Sequence, residues 1–242
     1  MNATDQNKVL VTTFAFNEGV KIKTTVERIL AATKHDVLVM DDGSTDGSME
    51  ALRNTRAQIL SNQTNEGIGS AMKTALMHAK HKGYEIIVIM AGNNKDDPTQ
   101  IPRLVTPLFE EGYDFVQGSR YLKGGDYGNM PLYRRVATQF VHPLLFSIIT
   151  RKWITDSTNG FRAFRLKLLD DPRINIQQPW LDKYELEPYL FFKAIRLGYK
   201  VKEVPVTKIY PPHQLGYTKM KPITGWWSIL RPIFLLGLGL RK

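Results

Sequence analysis

Cysteine is absent from this chain of 242 residues, which excludes disulfides, thiolate metal sites and cysteine nucleophiles and fits a reducing compartment. The N-terminus, Met1 to Lys8, lacks an apolar run behind a basic start. No secretory signal is expected there, and the protein is expected to stay in the cytoplasm, peripheral to the inner face of the membrane. Long hydrophobic runs are scarce as well. The most apolar stretch, Trp226 to Leu240, is broken by Arg231-Pro232 and falls short of the about 20 apolar residues a spanning helix needs. Internal repeats, low-complexity linkers and the arginine-rich or aromatic signatures of RNA binding are missing, so nucleic acid is not an expected partner. The formal net charge of +10 then points to acidic lipid head groups or phosphorylated small molecules.

What is present suffices for one sizeable core: 43% of the residues are hydrophobic and 23% charged, as in a single α/β domain. Short apolar runs at Lys8–Phe14, Asp36–Asp41, Ala57–Ser61, Glu85–Ala91 and Asp114–Ser119 predict strands. Between them, Val26, Ile29, Leu30 and then Ala71, Ala75, Leu76, Ala79 recur at three-and-four spacing, as in helices packed on a sheet. The alternation predicts a Rossmann-like, mostly parallel sheet with helices on both faces. Ligands of such sheets sit beyond the carboxyl ends of the strands. Asn17 and Glu18 follow the first strand, Asp41 and Asp42 end the second, and Ala91 to Asp97 follow the fourth.

The second half holds a glycine-rich loop (Gly124, Gly125, Gly128), a helix near Val136–Thr150 and the segment Asp156-Ser-Thr-Asn-Gly-Phe-Arg162. A helix around Asp182–Leu197 and a strand around Lys200–Val206 close the domain. The tail, with its tryptophans and basic flanks, suits an interfacial segment; a helix packed on the body or in an oligomer interface is the alternative. The chain is thus expected to divide into residues 1–121, residues 122–210 of the same domain, and a lid and membrane-associating tail at 211–242.

Two adjacent carboxylates, Asp41 and Asp42, stand at the end of an apolar strand, where they repel one another unless a cation or donor groups compensate them. Helix capping by Ser44 or Thr45 explains the Ser-Thr-Asp that follows but does not require two acids. The run Asp41-Asp-Gly-Ser-Thr-Asp-Gly47, with Asn17-Glu18 before it, resembles the nucleotide-binding half of the family 2 glycosyltransferases. The similarity continues in order through Asn65-Glu-Gly-Ile-Gly-Ser-Ala71, Gly118-Ser-Arg-Tyr121, Asn159-Gly-Phe-Arg162 and Gly216-Tyr-Thr-Lys219, and by pattern it is nearest to the dolichyl- and polyprenyl-phosphate sugar synthases.

That resemblance implies a GT-A fold and an inverting transfer from a UDP- or GDP-sugar. It implies a nucleotide site of Phe14, Asn17, Glu18, Asp41, Asp42, Gly67, Gly92 and Asn93, with Glu18 and Asp42 on the nucleoside, Asp41 in support, and the turn at Asn65–Gly69 letting backbone approach the nucleotide. The fourth strand departs from the pattern. Where relatives carry Asp-X-Asp for a divalent cation and a glutamine two residues on, this chain reads Ala91-Gly-Asn-Asn-Lys-Asp-Asp-Pro98. Either the Lys95 ammonium does the cation's work on the departing diphosphate, or Mg²⁺ or Mn²⁺ is held by Asn93 or recruited by Asp96 or Asp97. Those two acids otherwise cap the helix after Pro98.

For the acceptor, a sugar hydroxyl needs a general base, whereas a lipid phosphate arrives ionised and needs cationic positioning. Arg120, Arg134, Arg135, Arg162 and Lys219 are the expected phosphate-binding residues, and Asp156 is the candidate base for a hydroxyl. His213 stands where the lipid-phosphate synthases usually place an arginine. The expected acceptor is a polyprenyl phosphate; the alternatives are a hydroxyl of a lipid-linked glycan or surface polysaccharide, or a non-catalytic nucleotide-sugar-binding protein. The membrane surface and a homo-oligomer complete the expected partners. Asp182, Glu185 and Glu187 are not counted as catalytic.

Overall fold

The computed structural model describes residues 8–209 and 222–241. Seven strands form a single sheet: β1 (Val9–Ala15), β2 (Asp36–Asp41), β3 (Gln58–Ser61), β4 (Ile86–Ala91), β5 (Phe115–Ser119), β6 (Arg162–Arg165) and β7 (Val201–Pro205). Their order is β3-β2-β1-β4-β6-β5-β7. β6 runs antiparallel to both of its neighbours, and every other ladder is parallel. This is the expected α/β architecture.

β1 and β4 lie at the centre and are apolar almost throughout, because both of their faces are covered. The period of two sends alternate residues to opposite cores. Val9, Val11, Ile86, Val88 and Met90 pack on one side with Leu104, Val105 and Leu108 of α3 (Ile101–Glu110) and Ile29 of α1 (Val20–Ala32). Leu10, Phe14, Ile87 and Ile89 pack on the other with α2 (Ile68–His81), through Ala71, Met72, Ala75, Leu76 and Ala79.

β6 has no counterpart among the expected strands. Arg-Ala-Phe-Arg is four residues long with a charged residue at each end, so neither an apolar run nor a clear alternation marks it. Tertiary pairing makes the strand: it fills the gap between β4 and β5.

The helix expected from Val136 begins earlier. α4 (Leu132–Val136) passes through a π turn, Ala137–Val141, into α5 (His142–Thr150), giving one continuous rod. The widened turn accommodates Pro143, which lacks an N–H and whose ring would crowd the Gln139 carbonyl in a regular helix. α6 (Leu186–Arg196) and α7 (Pro222–Gly237) pack beside α5. In α7, Ile233 and Leu236 are buried in the core, and Gly237 fits closely over Ile149, where a Cβ would stand 2.7 Å from that side chain. One face of the tail is therefore a packed helix, while Trp227 and Phe234 remain exposed. Among the described residues no helix is long and apolar enough to cross a membrane.

Candidate active site

The carboxyl ends of β1, β2 and β4 converge as the strand order demands. Beyond β1 the chain turns at Asn17, which adopts a left-handed φ of 51°, tolerable for asparagine. Its N–H donates to Ser44 Oγ at 2.9 Å, and its own Oδ1 accepts from the Thr45 N–H at 2.8 Å. The Gly19 N–H donates to Asp46 Oδ2 and Ser48 Oγ, both at 2.9 Å. Asn17 and Asp46 thus join the loop after β1 to the loop after β2.

Asp41 and Asp42 are buried, and donors compensate the pair. Asp41 Oδ1 accepts the Ser44 N–H at 3.0 Å. Asp42 takes three bonds from the loop after β3: Asn62 Nδ2 at 2.9 Å and the Glu66 N–H at 3.0 Å on Oδ1, and the Gly67 N–H at 2.9 Å on Oδ2. The acid expected on the nucleoside therefore also clamps the loop that borders its pocket. Gly67 also meets a neighbouring segment. Its φ is 106°, and a Cβ there would meet the Asp182 carbonyl oxygen at 2.5 Å. At Gly69 the corresponding distance to the Leu181 oxygen is 2.0 Å. These glycines let α2 approach the 181–183 backbone. Gly92 likewise admits the Phe14 carbonyl, 2.1 Å from where its Cβ would stand, and Phe14 itself belongs to the core.

After β4, the chain builds a cationic cluster. Lys95 is only 8% exposed. Burial, together with the nearby positive charges of Arg134, Lys208 and Lys21, pushes its ammonium down to about 8, while Glu18 opposes the shift. Lys208 was not singled out from sequence; it follows a strand and carries no motif. An extension of β7 brings it in, pairing Lys208 with Asp96 antiparallel, the Ile209 N–H donating to the Lys95 carbonyl at 2.8 Å. The same extension bonds the glycine-rich loop, with the Asp126 N–H on the Val206 carbonyl at 3.1 Å.

A divalent cation does not fit this cluster, and the expected ligands are corrected accordingly. Asp96 is buried, with Oδ1 2.8 Å from Lys208 Nζ and Oδ2 accepting the Ala91 N–H at 2.9 Å. Asp97 caps the turn after Pro98 through the Thr99 N–H at 3.1 Å. Asn93 Oδ1 is buried without a hydrogen-bond partner, but a lone amide oxygen among cationic side chains is a poor Mg²⁺ ligand. Among the described residues no group of three or more His, Asp or Glu could hold a metal.

The acceptor-side residues divide. Arg120 and Asp156 are both buried and form a two-pronged ion pair, Nε to Oδ2 at 2.7 Å and Nη2 to Oδ1 at 2.9 Å. Although burial alone would raise the carboxyl, Arg120 and the Thr158 N–H hold Asp156 below its ordinary value. A general base must reach an acceptor hydroxyl, and in this arrangement the Asp156 carboxylate is turned onto Arg120 instead. Arg120 correspondingly turns its forked donors onto Asp156. Glu203, another residue without a sequence signal, pins the same segment by accepting the Thr155 and Asp156 N–H groups at 2.8 and 2.9 Å. Arg162 is buried as well: it donates to the Glu187 and Asn159 carbonyls and lies 3.5 Å from Glu187 Oε1. Arg134 lies within electrostatic reach of Lys95, and Arg135 stacks on Tyr127 with 4.4 Å to the ring centre. His213, Lys219 and the Gly216–Lys219 segment lie outside the described residues.

With this geometry in place, comparison with known proteins is informative. A profile of Glycosyl transferase family 2 matches residues 11–171. The chain is 30% identical to the undecaprenyl-phosphate mannosyltransferase of Micrococcus luteus, over 88% of this chain and 87% of that protein. It is 28% identical to the polyprenol monophosphomannose synthase of Mycolicibacterium smegmatis, over 88% and 81% respectively. Its fold matches that of glucosyl-3-phosphoglycerate synthase from Mycobacterium tuberculosis, solved with Mn²⁺, UDP and glucosyl-3-phosphoglycerate, with a TM-score of 0.69 at 20% identity over 96% of this chain and 79% of that one.

Proposed function

The chain belongs to glycosyl transferase family 2 and is a nucleotide-sugar-dependent transferase, and on that footing we propose that it moves a sugar from a nucleoside-diphosphate donor to a polyprenyl phosphate, with inversion, at the cytoplasmic face of a membrane. The nucleoside would lie in the crevice bounded by Glu18, Asp41 and Asp42. Its diphosphate would extend toward Lys95, whose ammonium stabilises the leaving group in the role a metal plays elsewhere. The acceptor phosphate oxygen attacks the anomeric carbon as the bond to the diphosphate breaks, and Arg134 neutralises the incoming phosphate.

One observation carries the choice of acceptor. Asp156, the acid expected to deprotonate a hydroxyl, is sealed against Arg120, whereas cations gather around Lys95. That combination suits a nucleophile that needs charge compensation and no base. The relatives named for undecaprenyl-phosphate and polyprenol transfer support the same reading; the phosphoglycerate synthase, solved with glucosyl-3-phosphoglycerate, matches in fold alone. The test is incubation with labelled donors and undecaprenyl phosphate. An acid-labile labelled lipid is the expected product; its absence across a donor panel, with label appearing in a glycan, would establish the hydroxyl acceptor instead.

A further inference from the structure

Two stretches of the chain contain no aspartate or glutamate: residues 127–155, and everything after Glu203. The first holds four lysines and arginines and the second six, so together they account for the whole formal charge of +10 and leave the remainder balanced. The fold brings the two together. α7 packs on α5, and His142 Nε2 donates to the Ile229 carbonyl at 3.2 Å.

The rod formed by α4, the π turn and α5 carries an apolar stripe that no described residue covers. Leu132, Val136, Phe140, Leu144 and Ile148 recur every fourth residue, and their exposure runs from 44% for Val136 to 73% for Leu132. In a regular helix a step of four overshoots a full turn by about 40°, which would wind the stripe around the rod. The π turn at Ala137–Val141 takes up extra chain and winds it back. Trp153, just beyond the helix, is 73% exposed, and Trp227 and Phe234 of α7 and Leu238 just past its end are exposed as well. Arg134 and Arg135 flank the start of the stripe and Arg151 and Lys152 its end. A patch this long exceeds what a monomer leaves uncovered without a partner.

We propose that the outer face of the Leu132–Thr150 rod, with α7 alongside, is a docking surface for a bilayer containing anionic lipid, the rod lying in the plane of the interface. Apolar side chains enter the acyl boundary and the acid-free flanks meet the negative head groups. Arg134, flanking the start of the stripe, lies within electrostatic reach of Lys95. Its benefit to catalysis rests on the polyprenyl-phosphate reading: a phosphate carried at the head-group level would arrive beside that cluster.

Co-sedimentation of the full chain with vesicles tests the surface. Binding is expected to phosphatidylcholine vesicles containing phosphatidylglycerol, and about tenfold less to phosphatidylcholine alone, as expected when several basic residues contribute. The double substitution Phe140→Glu and Ile148→Glu is expected to abolish binding while leaving the melting temperature and the turnover of a short, water-soluble prenyl phosphate unchanged. Quenching of tryptophan fluorescence by brominated lipid, reduced in Trp153→Phe, provides a second measurement that needs no disruptive variant. A protein that stays in the supernatant with acidic vesicles and shows no quenching overturns the proposal, as does a stable dimer dissociated by the glutamate substitutions. Vesicle binding without any prenyl-phosphate product would leave the docking surface standing and sink the acceptor assignment alone.

Discussion

At the scale of single residues, Lys95 and Asp156 make opposite demands. Lys95 must be charged to act on a departing diphosphate, and its surroundings hold its pKa at about 8. As pH rises through that value the ammonium is lost, so kcat/KM is expected to fall above pH 8 in the wild type. In Lys95→Arg, whose guanidinium stays protonated, that limb is expected to disappear. Lys95→Ala is expected to lose roughly 10²–10³ in kcat, the scale of removing one preorganised charge at a developing anion. EDTA is expected to leave wild-type transfer unchanged; full dependence on added Mn²⁺ would refute the assignment. Asp156 makes the contrary case. Asp156→Asn leaves Arg120 buried without its counter-charge, which costs about 3–5 kcal/mol, read as a lower denaturation midpoint. Transfer at low temperature is then expected to track the folded fraction. An unchanged midpoint with abolished transfer would restore the acid as a base. The sequence identified both residues as unusual, but it could not tell which charges each would meet once buried. That distinction depends on Thr155, Asp156 and Glu203 meeting across a separation of nearly fifty positions.

At the scale of elements, the strands and the helices that cover them were legible because their burial is regular. β2 falls on Asp36–Asp41 as expected, β4 differs by a residue at its start, and β1 by a residue at each end. β6 and the first turn of the long rod were not legible, since pairing and a π turn create them without a periodic signal of their own. The tail was legible as apolar but not in its docking. α7 is held by Arg231 on Glu185 Oε1 at 2.6 Å and by His142, which bonds both Ile229 and Ser157. Burial pushes His142 down to about 4 from its ordinary 6.5. Because the folded value lies below the unfolded one, this histidine's contribution is fully present above pH 6.5 and is lost as pH falls toward 4. The shift corresponds to about 3 kcal/mol. Wild-type stability measured by denaturant is expected to decline by that order across this window, and His142→Gln is expected to flatten the decline. An identical slope in the variant would show that other groups carry it.

At the scale of the whole molecule, the site belongs to no single element. Asp42 clamps the loop after β3, Asn17 ties the loops after β1 and β2, and the extension of β7 stitches the loop after β4 to the glycine-rich loop. A donor that bridges these loops binds the folded state alone, so its affinity must appear as stability of the entire chain. At a concentration one hundred times Kd the gain is about 2.7 kcal/mol. For a chain of this size each kcal/mol moves the midpoint by about 2–4 °C, so a cognate nucleotide sugar is expected to raise Tm by roughly 5–10 °C. A panel of UDP- and GDP-sugars, each measured with EDTA and again with Mn²⁺, therefore identifies the nucleotide and reads the metal dependence in one experiment. If Lys95 and its neighbours supply the charge, the cognate donor produces the same shift in both conditions and loses most of it in Lys95→Ala. A shift that appears only with Mn²⁺ would mean that the cation cluster rearranges to admit a metal, and the role given to Lys95 would fall with it.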